Sequence, residues 1–578
     1  MMKKVSLLFV ITVGISLFMN AQNTYFTGMG RALFTIDEMT DELHVDEQQR
    51  ASAGYTTFDL GVNVESKGLM RAGAIIRARN EFGGFYADGS STLAIRQMQV
   101  EGTIGKYVKY ELGDIYMHQT PYTIWNFNES FIDYEADIFS LRRDVVNYEN
   151  YFIDNNWRMQ GVHVNSTFRF MNGIESIGVQ AYGARLIESD LLTIPDRLLF
   201  GGKASVVQST RAQLGLNAVA ISDIVGTVEA SEINYHNEVY TSDFIFKCIE
   251  KNQVKLQLLG EAGYSFTDLV EESTSTDKNK DDYFFDLGAK LLYTPKNSFG
   301  LELKYRDVGP NFNSPAAQTR RIIESDENYS LESFPHFSGG EVLRNMTMLD
   351  RVSQEYGLYN TGISTVLMDF LPQYNNIEPY GQATPNRKGL SAVFSYSDSL
   401  DIVAVTLKGD FLSEIYAAGD ATTQKHRKFT GLQGGVEYAV NKSFDWEKSL
   451  IVKAGGAYEL TTRDGDLPID LQSTSIDIGV NAETIKNLHV LLGAKVLQAQ
   501  GDEFLVVLNR LNEVTSGSEP VSFDFNETLC GAGFQYDFSN TAYFSAQYMV
   551  SNYDNNKPGE EKYTFTTNQW FFTFNISF

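Results

Sequence analysis

Read in steps of two, the end of the chain separates into two faces. Trp570, Phe572, Phe574, Ile576 and Phe578 fall on one side, and Gln569, Phe571, Thr573, Asn575 and Ser577 on the other. A period of two is the signature of a β-strand. The same alternation recurs along the chain. Met70, Ala72, Ala74, Ile76 and Ala78 oppose Arg71, Arg77 and Arg79. Val108, Tyr110 and Leu112 oppose Lys109 and Glu111; Val162, Val164, Phe168 and Phe170 oppose His163, Asn165, Thr167 and Arg169. Leu301, Leu303 and Tyr305 oppose Glu302, Lys304 and Arg306, and Val403, Val405, Leu407 and Phe411 oppose Thr406, Lys408 and Asp410. One face of each strand is greasy and the other charged. A charge on a lipid face near the bilayer midplane costs about 2–4 kcal/mol, so the charged set is expected to face a wet lumen.

Turns and long connections alternate between these strands. Tight turns are expected at Ser66–Gly68, Gly105–Lys106, Asn172–Gly173, Thr210–Arg211, Lys251–Asn252, Lys296–Asn297, Asp398–Ser399, Asn441–Lys442, Lys486–Asn487 and Ser539–Asn540. Long polar connections are expected around 80–91, 117–156, 187–197, 222–239, 267–281, 308–388, 415–426, 461–472, 500–522 and 552–562. Ten hairpins, a final strand from Tyr563 to Phe578 and a first strand near Tyr25–Ile36 predict an all-β fold. It is a closed antiparallel transmembrane β-barrel of about 22 strands (18–22), with short periplasmic turns and long extracellular loops. No compositional break divides residues 22–578, which read as one barrel domain carrying the large loops 117–156 and 308–388. A soluble sandwich would split into several domains over this length, and no fixed-period repeat points to a solenoid.

Residues 1–21 read as a signal peptide. Lys3 and Lys4 precede the apolar run Val5–Phe18, with Asn20–Ala21 as the cleavage point. That run is too short to span a bilayer as a helix. The chain has 39 Phe and 31 Tyr against 12 Pro and 2 Cys. Its mean hydropathy of −0.23 excludes a helical membrane protein but suits a barrel, in which only half of each strand meets lipid. The formal charge of −26, or −28 once Lys3 and Lys4 leave with the signal peptide, excludes nucleic acid as a partner. It fits an acidic surface in an outer membrane of lipid and lipopolysaccharide. Cys248 and Cys530 form no disulfide framework.

The hairpin Ala94–Gly105, carrying Arg96 and Val100-Glu101-Gly102, followed by Tyr107–Asp114 with Gly113-Asp114, resembles an early hairpin of the phosphate-porin type. The terminal strand, with Trp570, Phe572, Phe574, Ile576 and Phe578, resembles the C-terminal aromatic signal of Gram-negative outer-membrane barrels. The first resemblance implies a diffusion channel narrowed by an inward-folded loop. The second implies recognition by the barrel-assembly machinery. The basic ladder that such porins offer to anions is only partly present here.

Barrels of about 22 strands are wide and the known ones are plugged. The residues ahead of the first clean strand are too few for an N-terminal plug domain. Loop 117–156 holds Trp125, Phe127, Phe131, Tyr134, Phe139, Tyr148, Tyr151 and Phe152. Loop 308–388 holds Phe312, Phe334, Phe337, Phe370, Leu371, Tyr374 and a short helix with Leu349, Val352 and Tyr356. That much apolar surface must be covered by the rim, the lumen or a partner.

Catalytic motifs are missing. The seven His are scattered, with no HExxH or CxxC, and no GxSxG occurs. Asp277–Asp281 begins like a calcium loop, but Asp282 and Gly288 stand where Gly and an acid are needed; a solvated acidic loop with at most weak surface Ca²⁺ is expected, and no cofactor. Strand glycines are read as barrel packing. Two functions follow. One is a non-enzymatic, porin-like outer-membrane channel for small hydrophilic solutes, its lumen narrowed or plugged by loops. The alternative is a non-conducting accessory barrel in a complex for outer-membrane protein assembly, secretion or surface-lipoprotein export, with other outer-membrane proteins as partners.

Overall fold

The computed structural model describes residues 23–41, 50–66, 68–82, 91–126, 133–150, 156–171, 173–209, 211–228, 233–271, 276–318, 334–335, 343–353, 362–368, 370–417, 425–465, 468–504, 520–556 and 563–578. The expected signal peptide, like Phe127, Phe131, Tyr151, Phe152, Phe337 and Tyr356, lies outside the described residues.

Twenty-two strands form one antiparallel sheet. They are β1 (Asn23–Asp41), β2 (Arg50–Ser66), β3 (Met70–Glu81), β4 (Ser91–Ile104), β5 (Val108–Met117), β6 (Trp157–Arg169), β7 (Ser176–Ile187), β8 (Arg197–Val207), β9 (Ala212–Asp223), β10 (Ile233–Lys251) and β11 (Val254–Glu271). There follow β12 (Thr276–Tyr293), β13 (Ser298–Val308), β14 (Arg387–Ser397), β15 (Val403–Ser413), β16 (Lys428–Ala439), β17 (Leu450–Arg463), β18 (Ile469–Ile485), β19 (Leu488–Phe504), β20 (Pro520–Ser539), β21 (Ala542–Asn555) and β22 (Tyr563–Ser577). Each pairs with its chain neighbours, and β1 pairs with β22 from Met29↔Ser577 to Asp41↔Phe565. That last ladder closes the barrel and leaves no free sheet edge. The expected count of about 22 is met.

The outer face carries the apolar half of the alternation. Leu112, Val162, Phe200, Leu216, Leu258, Leu303, Phe411, Leu432 and Ile478 are all exposed there. Within the terminal strand Trp570, Phe574, Ile576 and Phe578 are exposed, and Phe572 is half-buried between Phe34 and Trp570. Phe571, on the opposite parity, is 2 % exposed and faces inward. Cys248 and Cys530 are free and exposed.

Several expected loops are strand instead. β1 runs beyond Tyr25–Ile36 at both ends. β10 begins at Ile233, β11 runs to Glu271 and β12 starts at Thr276, so parts of 222–239 and most of 267–281 continue the ladder, including Asp277–Asp281. The cause is physical. Above the apolar band both strand faces meet water, both are polar, and the period of two disappears from the sequence although the backbone pairing persists.

The hairpin Ala94–Asp114 is the least paired part of the wall. β4 and β5 pair only from Gln99↔Gly113 to Ile104↔Val108. Gly113 has φ +98°, and a Cβ there would lie 2.4 Å from the Met98 carbonyl oxygen. Above it, side chains replace the ladder. Asp114 Oδ2 accepts the Met98 N–H at 2.6 Å, and Arg158 donates to Asp114 Oδ1 at 2.9 Å and to the Arg96 carbonyl at 2.8 Å.

Candidate functional site

The described parts of the two large connections pack against the inner face of the wall. Within the first, Asp137–Asn150 forms helix α1. Ile138, Phe139, Arg142 and Val145 share one buried stripe, as a 3.6-residue period requires. Asp137 sits in the first turn, where the helix dipole favours a carboxylate, and accepts from Lys453 Nζ and Asn481 Nδ2, both at 2.6 Å.

Inward-facing glycines seat this helix. A Cβ at Gly479 would lie 2.3 Å from Ala136 Cβ, and one at Gly493 would lie 2.6 Å from Ile138 Cγ2 and 2.9 Å from Phe139 Cε2. Gly435 gives the same close approach to the Asp133 carbonyl (2.4 Å), and Gly431 to Ile377 Cδ1 (2.4 Å). Strand glycines read as barrel packing are therefore, at these positions, room for the loops. Their shared inward parity was the available sequence signal.

The far end of α1 docks on β1–β4. Glu149 pairs with Arg31 at 2.6 Å and Arg77 at 2.5 Å. Asp59 accepts from Arg77 at 2.7 Å and from the Tyr148 hydroxyl at 2.7 Å. Arg96 reaches both Asp59 and the Tyr148 carbonyl. Arg142 donates to Gln569 and lies over the Phe571 ring. Fourteen residues at ~1.5 Å each make a rod of about 21 Å, which links the β18–β20 wall to the β1–β4 wall.

The start of the first connection and the second connection together cover the rest. Tyr122 stacks on Phe284 at 3.9 Å, Phe312 packs edge-on against Phe284 at 4.9 Å, and the Tyr122 hydroxyl donates to Asp286 at 2.8 Å. Trp125 N–H and Trp157 Nε1 both donate to the Ala316 carbonyl. The expected short helix is α2 (Met348–Ser353). Met348, Leu349 and Val352 join Ile138, Phe139, Phe525, Tyr553 and Phe565 in one apolar cluster. Arg344 forks onto Asp350 at 2.7 and 2.9 Å. Burial alone would raise the Asp350 carboxyl, but Arg344 and the Thr347 donors hold it below the usual range. Glu135 behaves alike: burial is outweighed by Arg143 and Lys495.

Among the described residues, two charge-lined cavities are each large enough for several waters. One, of about 340 Å³, is lined by Asp133, Glu378, Lys408, Asp410 and Glu459 between both connections and β14–β19. The other, of about 350 Å³, lies beside α1 toward the chain termini and is lined by Arg31, Asp59, Asp144, Tyr148 and Tyr543.

Of the ten charges expected in the lumen, two hold the loops. Arg77 holds Glu149 of α1. Arg306 holds Glu378 and also meets Ser391 at 2.5 Å and Asp410 at 3.3 Å. The other eight stay on the wall or its lower rim. Arg71 pairs with Glu101 at 2.8 Å, Arg79 with Glu81 at 2.6 Å and His163 with Glu111 at 3.5 Å. Lys304 meets Glu302 at 3.2 Å, and Lys109 and Arg169 are exposed. Sequence reasoning did not single out Arg31, Asp59 or Glu149: Arg31 and Glu149 pair across 118 residues of chain, and Asp59 gathers Arg77, Arg96 and Tyr148 from three different elements.

No family model matches the chain, and no curated protein matches it. Among solved structures it is similar to the ferric citrate transporter FecA in its unliganded form (8 % identity, TM-score 0.49, covering 96 % of this chain and 78 % of that one). It is also similar to the copper transporter OprC (10 %, 0.46, 95 % and 81 %) and to a BenF-like porin from Pseudomonas fluorescens Pf-5 (9 %, 0.34, 97 % and 100 %). Identities of this size carry no solute or mechanism from one barrel to another.

Proposed function

We propose that the protein is a passive channel of the Gram-negative outer membrane for small hydrophilic solutes, narrowed by α1 and by the 309–386 connection. The apolar outer belt supports the membrane location: charged strand positions turn inward and large apolar ones outward. The observation that carries the transport reading is the pair of charge-lined cavities, one beside α1 and one between the two connections and β14–β19. Charge-lined space holds water, and a loop across it restricts the cross-section without closing it. The hairpin's likeness to the phosphate-porin type agrees with a loop-narrowed pore. The aromatic final strand agrees with delivery by the barrel-assembly machinery after removal of residues 1–21.

Planar-bilayer recording tests this. The native protein is expected to give small conductance steps, and a variant with 137–150 replaced by a Gly/Ser linker larger ones. Electrical silence from both would overturn the channel. One observation favours the accessory-barrel reading in that event: Ile138, Phe139 and Leu529 are completely buried inside the lumen, as a permanent stopper requires. Silence together with co-purification of other barrels would establish it.

A further inference from the structure

The wall is not equally tall around the barrel. β7, β8 and β9 have 12, 11 and 12 residues, whereas β10, β11 and β12 have 19, 18 and 18. A strand tilted ~40° climbs about 2.6 Å per residue. The short strands therefore rise about 30 Å and the long ones about 48 Å, against an apolar band of about 25 Å. The rim at β7–β9 stands only about 5 Å above that band, at the height of lipid headgroups. At β12, Thr276–Tyr283 runs on past the last pairing with β13 (Phe284↔Val308), and the wall there stands well clear in water.

The connections on the low rim carry an apolar patch. Leu191 is 71 % exposed, Leu192 61 %, Ile194 48 % and Val225 78 %. They are held rigidly. Asp190 Oδ1 accepts the N–H groups of Leu192, Thr193 and Ile194 at 2.7–2.8 Å. Ser189 Oγ donates to the Thr227 carbonyl at 2.8 Å, Asp196 N–H to Thr227 Oγ1 at 3.1 Å, and Ile224 N–H to the Asp196 carbonyl at 2.8 Å. Leu191 holds φ +65°, a left-handed conformation that a leucine adopts only under constraint. Hydrogen bonds and backbone strain thus fix large apolar side chains where the described residues leave them uncovered. In water such a patch is a liability.

We propose that the patch formed by Leu191, Leu192, Ile194 and Val225 is a membrane-interface anchor that dips into the outer leaflet, above the exposed belt residue Phe200 on β8. Its occupant is lipid at the boundary of headgroup and acyl chain. The anchor rests on the membrane location given above and not on conduction.

The test places one cysteine at a time in a background with Cys248→Ser and Cys530→Ser: Leu192→Cys, Val225→Cys, Phe200→Cys in the belt, and Asn279→Cys near the top of β12. Each is labelled with an environment-sensitive fluorophore, and the protein is reconstituted into vesicles of brominated phosphatidylcholine. Labels at 192 and 225 are expected to lose emission to the extent that the 200 label does, while the 279 label keeps its own. Quenching at 200 with none at 192 and 225 would overturn the anchor and leave the membrane location standing. No quenching at 200 would overturn both.

Discussion

Phe139 is the side chain on which the position of α1 most depends. It is completely buried, lies over Gly493 and Gly531 and carries Lys495 Nζ 5.1 Å from its ring centre. Phe139→Ala removes that packing without touching the β-ladder. A buried Phe→Ala change costs about 3–5 kcal/mol. α1 can leave its seat without the barrel unfolding, so the loss falls on local opening. At ~1.4 kcal/mol per tenfold, amide exchange within 137–150 is expected to speed up by between about 10² and 10⁴ fold. Exchange in β10–β12, on the far side of the lumen, should not change. Mass-resolved hydrogen exchange on the reconstituted protein measures both regions in one experiment. Unaltered exchange in α1 would refute the claim that this ring seats the helix. A uniform acceleration through all strands would refute the claim that helix and barrel open separately.

Two further outcomes follow from the same contacts. Gly493→Val inserts a branched side chain where even a Cβ would lie 2.6 Å from Ile138. It should cost about 1–3 kcal/mol of loop docking and enlarge bilayer conductance, whereas Gly456→Val, where a Cβ would have the Ser475 carbonyl oxygen as its nearest neighbour at 3.3 Å, should leave conductance unchanged. The pH dependence has a definite sign. Asp350 and Glu135 have folded pKa values below their usual ones, so their contribution is complete above the unfolded values of about 3.9 and 4.3 and is lost as pH falls through the lower folded values. Amide exchange within α2 (Met348–Ser353), corrected for its intrinsic pH dependence, should accelerate as the pH falls below about 4; unchanged protection there would contradict the ion pairs.

The strand count and the exposed apolar positions of the alternation were legible because each follows from local chemistry. A residue at period two must choose lipid or water, and its polarity records the choice. Met70, Leu112 and Phe574 are exposed on the outer face as their neighbours in sequence require. The signal fades where lipid ends, which is why the tops of β10–β12 read as loop. The hairpin containing Arg96, Gly113 and Asp114 stood out by resemblance, but its work became visible only in space. Gly113 breaks the ladder, Asp114 patches the break, and Arg96 reaches inward to Asp59 and Tyr148.

By itself the chain dictated the closed cylinder, since an alternating strand has one face that water rejects and one that lipid rejects, and closure alone satisfies every backbone edge. Where the loops go was decided in three dimensions. Loop residues have no period to report their neighbours, and the partners of α1, from Lys453 to Arg31 and Phe571, converge only after distant strands have been bent into a ring. The glycines that admit the helix have no side chain with which to announce a contact; what marks them is the space they leave.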